Sequence, residues 1–249
     1  MHFPALSPGQ WLLAILAGVC VGLSKSGFTG ISMLTVLFMA RVFPAYESTG
    51  VVLPLLICGD VFAVAAYRRH AKWSHVLKML PPAFMGIVAG YWLMPHIPRQ
   101  VFGPVIGWIV LAMVAIQYAR QFRPAAFEAA PQSPWFAWMM GAWAGVTTMM
   151  ANAAGPVMSL YLLAVNLPKY EIVGTGAWFF LIVNIVKLPF SARLGLINAS
   201  SLSFNLALAP AVFAGIALGR VLIRHVPQKI FEQILLLSAA AASLRLVWG

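Results

Sequence analysis

The chain has 249 residues, 62% of them hydrophobic and only 8% charged, with a mean hydropathy of +0.90. A soluble domain carries about 25% charged and about 45–50% apolar residues, so a water-soluble globule, and with it a soluble enzyme, is excluded. Sixteen Lys and Arg against five acidic residues give a formal charge of +11. The cations fall mostly in short segments between apolar runs, so membrane topology accounts for the excess and no nucleic-acid partner is expected. The same charge suits anionic lipid head groups and an anionic solute.

In chain order, apolar segments lie at Trp11–Ala40, Thr49–Tyr67, Val76–Met94 and Val101–Tyr118, then at Trp135–Ala164, Ile172–Pro189, Leu202–Val221 and Ile230–Val247. Most match the ~30 Å hydrocarbon core at ~1.5 Å per helical residue. The expected fold class is an all-α polytopic membrane protein, multi-pass in the cell membrane. The polar, proline-rich Arg120–Pro134 divides two nearly equal halves. This predicts a first transmembrane repeat over 1–123, a linker over 124–134 and a second repeat over 135–249.

The halves echo each other. Gly18-x-x-x-Gly22 returns as Gly141-x-x-x-Gly145, and Pro44-x-Tyr46-Glu47-x-x-Gly50 as Pro168-x-Tyr170-Glu171-x-x-Gly174. At a 124-residue offset Asp60 corresponds to Asn184 and Arg69 to Arg193; after an insertion, at offset 129, Gly86-x-x-x-Gly90 corresponds to Gly215-x-x-x-Gly219. Duplicated halves are a common build for secondary transporters, with the solute site where the repeats meet. The glycine pairs predict close helix contacts and carry no nucleotide motif.

The first segment of each half is too long for one straight crossing and is interrupted, by LSKSGFTG at 23–30 and by TTMMANAAGP at 147–156. Two half-helices meeting at an unwound stretch are expected, as a discontinuous span or a re-entrant hairpin. Such backbone is tolerated at membrane depth only against protein or a watery cavity, so the breaks point to the solute site. If each segment crosses, the chain has eight crossings; if each is re-entrant, each half crosses three times and the second half is inverted. The distribution of Lys and Arg follows the positive-inside rule slightly better in the inverted arrangement.

GVCVGLSKSGFTG at 18–30, PAYESTG at 44–50, Asp60 within an apolar helix, the basic YRRHAKW at 67–73 and PPAFMGIVAG at 81–90 together resemble the TauE/SafE family of membrane transporters, often called sulfite exporters. PKYEIVGTGAWFFLIVN and APAVFAGIALG repeat the pattern in the second half. The resemblance covers essentially the whole chain. It implies secondary transport of small sulfur-containing anions such as sulfite or organosulfonates.

Candidate site residues follow from cost. Lys25 lies in the first break, where a cation within a span is expensive and reads as the attraction for an anion; the alternative is snorkelling to head groups. Ser24, Ser26 and Thr29 in one break, with Thr147, Thr148 and Asn152 in the other, could donate hydrogen bonds to sulfite or sulfonate oxygens, or could serve helix packing. Asp60 is the only acidic residue deep in a span. It could take up a proton and couple solute movement to a proton gradient, or stay ionised and pair with Lys25 or Lys187. Asn184 occupies its place in the second half, with Lys187 one helical turn on as a second candidate for the solute's charge, or as a snorkelling residue. Glu47 and Glu171 each open an apolar helix, where a carboxylate suits the helix dipole.

Neither Cys20 nor Cys58 belongs to a metal or redox motif, so no cofactor is indicated. No nucleophile–base pair or Walker motif is visible, which argues against a membrane enzyme and an ATP-driven pump. The leading expectation is a secondary transporter exporting or exchanging small sulfur-containing anions; a non-transporting membrane subunit or assembly factor is the alternative. A homo-oligomer is left open.

Overall fold

The computed structural model describes residues 6–26, 31–122, 134–165, 167–225 and 228–248, and the described residues form α-helices with short 3-10 turns and no strand. The helices are α1 (Pro8–Lys25), α2 (Ser32–Val42), α3 (Ala45–Val51), α4 (Leu53–Tyr67), α5 (Trp73–Leu93), α6 (Arg99–Phe122), α7 (Pro134–Ala151), α8 (Ala154–Ala164), α9 (Lys169–Arg193), α10 (Ala199–His225) and α11 (Gln228–Trp248). Among the described residues, six stretches are long and apolar enough to cross a membrane: Pro8–Lys25, Ala45–His70, Trp73–His96, Arg99–Ala119, Tyr170–Arg193 and Ala199–Leu222. The expected linker lies almost wholly outside the described residues, as does Thr29.

Local chemistry sets the boundaries. Ser7 caps α1 in a reciprocal box: Gln10 N–H donates to Ser7 Oγ at 3.3 Å, Ser7 N–H donates to Gln10 Oε1 at 2.9 Å, and Pro8 takes the first turn. The second and sixth apolar segments begin earlier than their hydrophobic runs, at Ala45 and Lys169, because Pro44 and Pro168 precede the helices and Glu47 and Glu171 occupy their first turns. Polar first turns are invisible to a hydropathy window.

Each interrupted segment is a hairpin. Gln10 Nε2 donates to Val42 O at 3.5 Å and Thr35 Oγ1 donates to Ala17 O at 3.4 Å, so α2 returns antiparallel along α1 to the level of its start. In the second hairpin the Phe136 ring, near the start of α7, meets Tyr161, near the end of α8, at 6.0 Å. Asn152 makes that turn with φ 50°, and the Ala153 N–H closes it on Thr147 O at 3.2 Å. Asn tolerates this left-handed conformation better than other side-chain-bearing residues.

The four glycine pairs interlock crosswise. A Cβ on Gly22 would run into Val212 O of α10, and one on Gly215 into Val19 O of α1; a Cβ on Gly86 would run into Ala142 O of α7, and one on Gly145 into Ala83 O of α5. Bare backbone therefore touches backbone at α1–α10 and at α5–α7, the geometry that small-xxx-small pairs permit. Between these two contacts the continuous α3–α4 stretch and α9 run antiparallel: Gly50 of α3 meets Leu196 just past the end of α9, Asp60 meets Asn184 in the middle, and Gly174 meets Tyr67 at the other end.

Candidate functional site

The two hairpin tips and the middle of α4 and α9 converge on one cleft. Ser24 and Lys25 approach it from the end of α1, Thr148 and Asn152 from the end of α7, and Phe180 and Asn184 from α9. Its volume is about 50 Å³, against the ~10–15 Å³ that one water needs on that measure. It has the capacity of a few waters or one small oxyanion. Ser32 at the start of α2 and Ala154 and Gly155 at the start of α8 complete its wall. Two helix N-termini thus face the same space, and α2 has no side-chain cap. The first amides of a helix lack intrahelical acceptors and carry the positive end of its dipole.

Asp60 is fully buried and organises the first half of the site. Lys25 Nζ lies 2.6 Å from its Oδ1, an ion pair off the line of a hydrogen bond, and Asn184 Nδ2 donates to its Oδ2 at 2.7 Å. The same ammonium sits 5.0 Å from the centre of the Phe180 ring, a position in which the ring quadrupole attracts a cation. The side chain of Lys25 keeps 11% exposure and lines the cleft. Burial and pairing exclude the snorkelling alternative for this lysine.

Lys187 is 1% exposed and likewise does not snorkel. Its ammonium donates to Thr148 O at 2.7 Å, to Thr148 Oγ1 at 3.2 Å and to Asn152 Oδ1 at 2.5 Å. It thereby caps the carbonyl end of α7, where a cation suits the helix dipole. Asn152 Nδ2 in turn donates to Thr49 O at 2.8 Å, tying this tip to α3. These three acceptors of Lys187 are neutral, so two lysines accompany one carboxylate within two helical turns of the Asp60–Asn184 contact.

The remaining expected residues divide. Ser24 lines the cleft while its hydroxyl donates to Val21 O at 2.7 Å. Ser26 Oγ is shared between Gly22 O and Ile216 O, each at 3.3 Å, and so joins α1 to α10. Thr147 Oγ1 donates to Trp143 O at 2.7 Å within its own helix. Neither Ser26 nor Thr147 lines the cleft. Glu47 and Glu171 sit away from it in ion pairs, with Arg99 at 2.7 Å and with Lys72 at 3.0 Å. Sequence reasoning passed over Ser32 and Phe180. Ser32 is recognisable as the first polar residue after the break, whereas nothing in WFFLIVN distinguishes Phe180 from its neighbours.

A family model described as sulfite exporter TauE/SafE matches residues 12–246, nearly the whole chain. No curated protein and no solved structure matches it.

Proposed function

The chain belongs to the TauE/SafE family of membrane transporters, and from that premise we propose that it carries a small sulfur-containing oxyanion, sulfite or an organosulfonate, through the cleft between its two hairpin tips. The observation that carries this reading is the charge at and behind the cleft. Lys25 lines it, Lys187 lies enclosed behind it on Thr148 and Asn152, a single carboxylate accompanies the two, and two helix N-termini face the same space. Buried charge is normally balanced; an oxyanion beside Lys25 balances it, while Ser32 and the first amides of α8 offer donors to its oxygens. A volume of about 50 Å³ suits a compact anion. An assembly factor would place Lys25 and Asp60 against lipid or an outside protein, whereas here Lys25 lines the cleft and Asp60 is buried behind it.

Each half is proposed to contribute one re-entrant hairpin and three crossing helices, the second half being inverted. The antiparallel meeting of α4 and α9 and the crosswise glycine contacts support this arrangement. Asp60 is proposed as the coupling residue: when Lys25 turns to the anion, Asp60 loses its counter-ion, and taking a proton relieves a bare carboxylate in a low-dielectric site.

The test is flux of sulfite, taurine-like sulfonates and chloride in proteoliposomes, with and without an imposed pH gradient. Sulfur-anion flux well above chloride is expected. Lys25→Gln should weaken apparent affinity about tenfold, ~1.4 kcal/mol, and Asp60→Asn should abolish gradient-driven uptake while leaving exchange. A well-folded preparation that moves none of these anions defeats the transport reading, and an unchanged pH dependence in Asp60→Asn removes that residue from coupling.

A further inference from the structure

Away from the central cleft, at the open base of the second hairpin, lies a cavity of about 120 Å³ between α5, the start of α7 and the end of α8. Its polar lining is His75, Lys78 and Tyr161, and no acidic side chain lines it among the described residues. His75 Nδ1 and Tyr161 Oη share a hydrogen bond at 2.8 Å. A neutral imidazole and a phenol hold two donor protons between them, and their mutual bond engages one. Whichever tautomer is present, one donor remains. Lys78 adds a positive charge with no carboxylate partner among the described residues.

The corresponding corner of the first half shows that the fold does not require such a pocket. At the 129-residue offset, Phe204 stands where His75 stands. It is fully buried, with its ring 5.7 Å from Trp11 and 5.1 Å from Phe43. One corner is packed with aromatic rings; the other holds a cation and two polar rings around open space. The polar corner also lies at one face of the bundle. Helices α5 and α7 run parallel and start there with Trp73 and Trp135, and α9 starts there with Tyr170, which meets His70 at 5.5 Å. All three aromatic residues are exposed, as in the belts that mark the head-group level.

We propose that this cavity binds a phosphate-type oxyanion, with Lys78 supplying the charge and the His75–Tyr161 pair the remaining donor. The oxyanion can be carried by an anionic lipid head group or be free in water. Basic pockets between membrane helices bind head groups by this chemistry. Bound there, it joins α5 to both arms of the second hairpin. The inference does not depend on what passes through the central cleft.

The experiment uses the purified full chain carrying Lys25→Gln, which removes the central ammonium as a competing anion site. Thermal unfolding is followed during titration with inorganic phosphate, with short-chain phosphatidylglycerol, and with short-chain phosphatidylcholine as the zwitterionic control. A saturable upward shift with phosphate or phosphatidylglycerol is expected, at least tenfold weaker in Lys78→Gln and restored in Lys78→Arg. A shift with the lipid alone assigns the oxyanion to the membrane; a shift with phosphate alone assigns it to water. His75→Phe, which installs the residue of the first-half corner, should abolish the response without unfolding the protein. The proposal is overturned if neither anionic probe saturates, if phosphatidylcholine acts as well as phosphatidylglycerol, or if Lys78→Gln and His75→Phe respond like the parent.

Discussion

The two hairpin tips make equivalent contacts with opposite chemistry. At the first, the lysine belongs to the tip: Lys25 ends α1 and reaches the carboxylate of Asp60 on α4. At the second, the lysine belongs to the crossing helix: Lys187 on α9 reaches back to Thr148 O and Asn152 at the end of α7. The first ammonium faces the cleft and holds an ionic partner; the second is enclosed and holds neutral acceptors at the backbone turn. On the proposed transport reading, two halves with the same packing would then separate two tasks, one cation for the solute and one for the architecture.

The sharpest test of that separation compares the two lysines directly. Lys187→Met leaves Asn152 Oδ1 without its donor and uncaps the end of α7, so unfolding in mixed micelles should show a loss of about 2–4 kcal/mol. Lys25→Gln should cost less than about 1 kcal/mol of stability, because Asp60 keeps Asn184 and can take up a proton. Its effect belongs in anion affinity instead. If Lys25→Gln proves the more destabilising change, the two roles are reversed.

Packing, unlike charge, should respond equally in both halves. Gly22→Ala forces a methyl onto Val212 O and Gly145→Ala forces one onto Ala83 O, backbone atoms that cannot swing aside. Each should cost about 1–3 kcal/mol by overpacking, measured by the same unfolding, while Gly9→Ala, which meets nothing within 4 Å, serves as control. A large loss at only one glycine would break the equivalence of the α1–α10 and α5–α7 contacts.

How far the sequence reveals this site depends on the kind of residue. Gly22, Gly86, Gly145 and Gly215 were legible because a recurring small-xxx-small pattern has one main use in a membrane helix. Lys25, Asp60 and Lys187 were legible because charge within a span is costly whatever its partner. Partners were not legible: a span-length count cannot distinguish a crossing from a hairpin, and it is contacts such as the Gln10–Val42 and Thr35–Ala17 bonds and the Phe136–Tyr161 ring pair that reveal the antiparallel returns. Hydroxyl direction was hidden for a similar reason. Ser26 and Thr147 have the chemistry of solute donors, yet carbonyls of the preceding helical turn, present at every such position, take their protons.

A smaller effect isolates the turn from the ammonium it holds. Asn152→Gly and Asn152→Ala both remove one acceptor of Lys187, leaving those on Thr148, but only Gly adopts φ 50° without steric cost. The alanine variant should be less stable than the glycine variant by about 1 kcal/mol. Equal stabilities would mean that the second tip can turn without its left-handed residue.

The smallest effect concerns the acidic residues that open the crossing helices. Glu47 and Glu171 occupy equivalent positions yet pair with cations from different helix starts, Arg99 as the first residue of α6 and Lys72 just before α5. Arg99 is 70% exposed on its side chain and Lys72 50%, so solvent screens both pairs and each should contribute no more than about 1 kcal/mol. Glu47→Gln and Glu171→Gln should therefore shift unfolding by similar small amounts, with both shifts shrinking at high salt. A loss several times larger at one of them would extend the divergence of the halves from the hairpin tips to the helix starts. Matching small losses would confine it to the tips, where Lys25 and Lys187 lie.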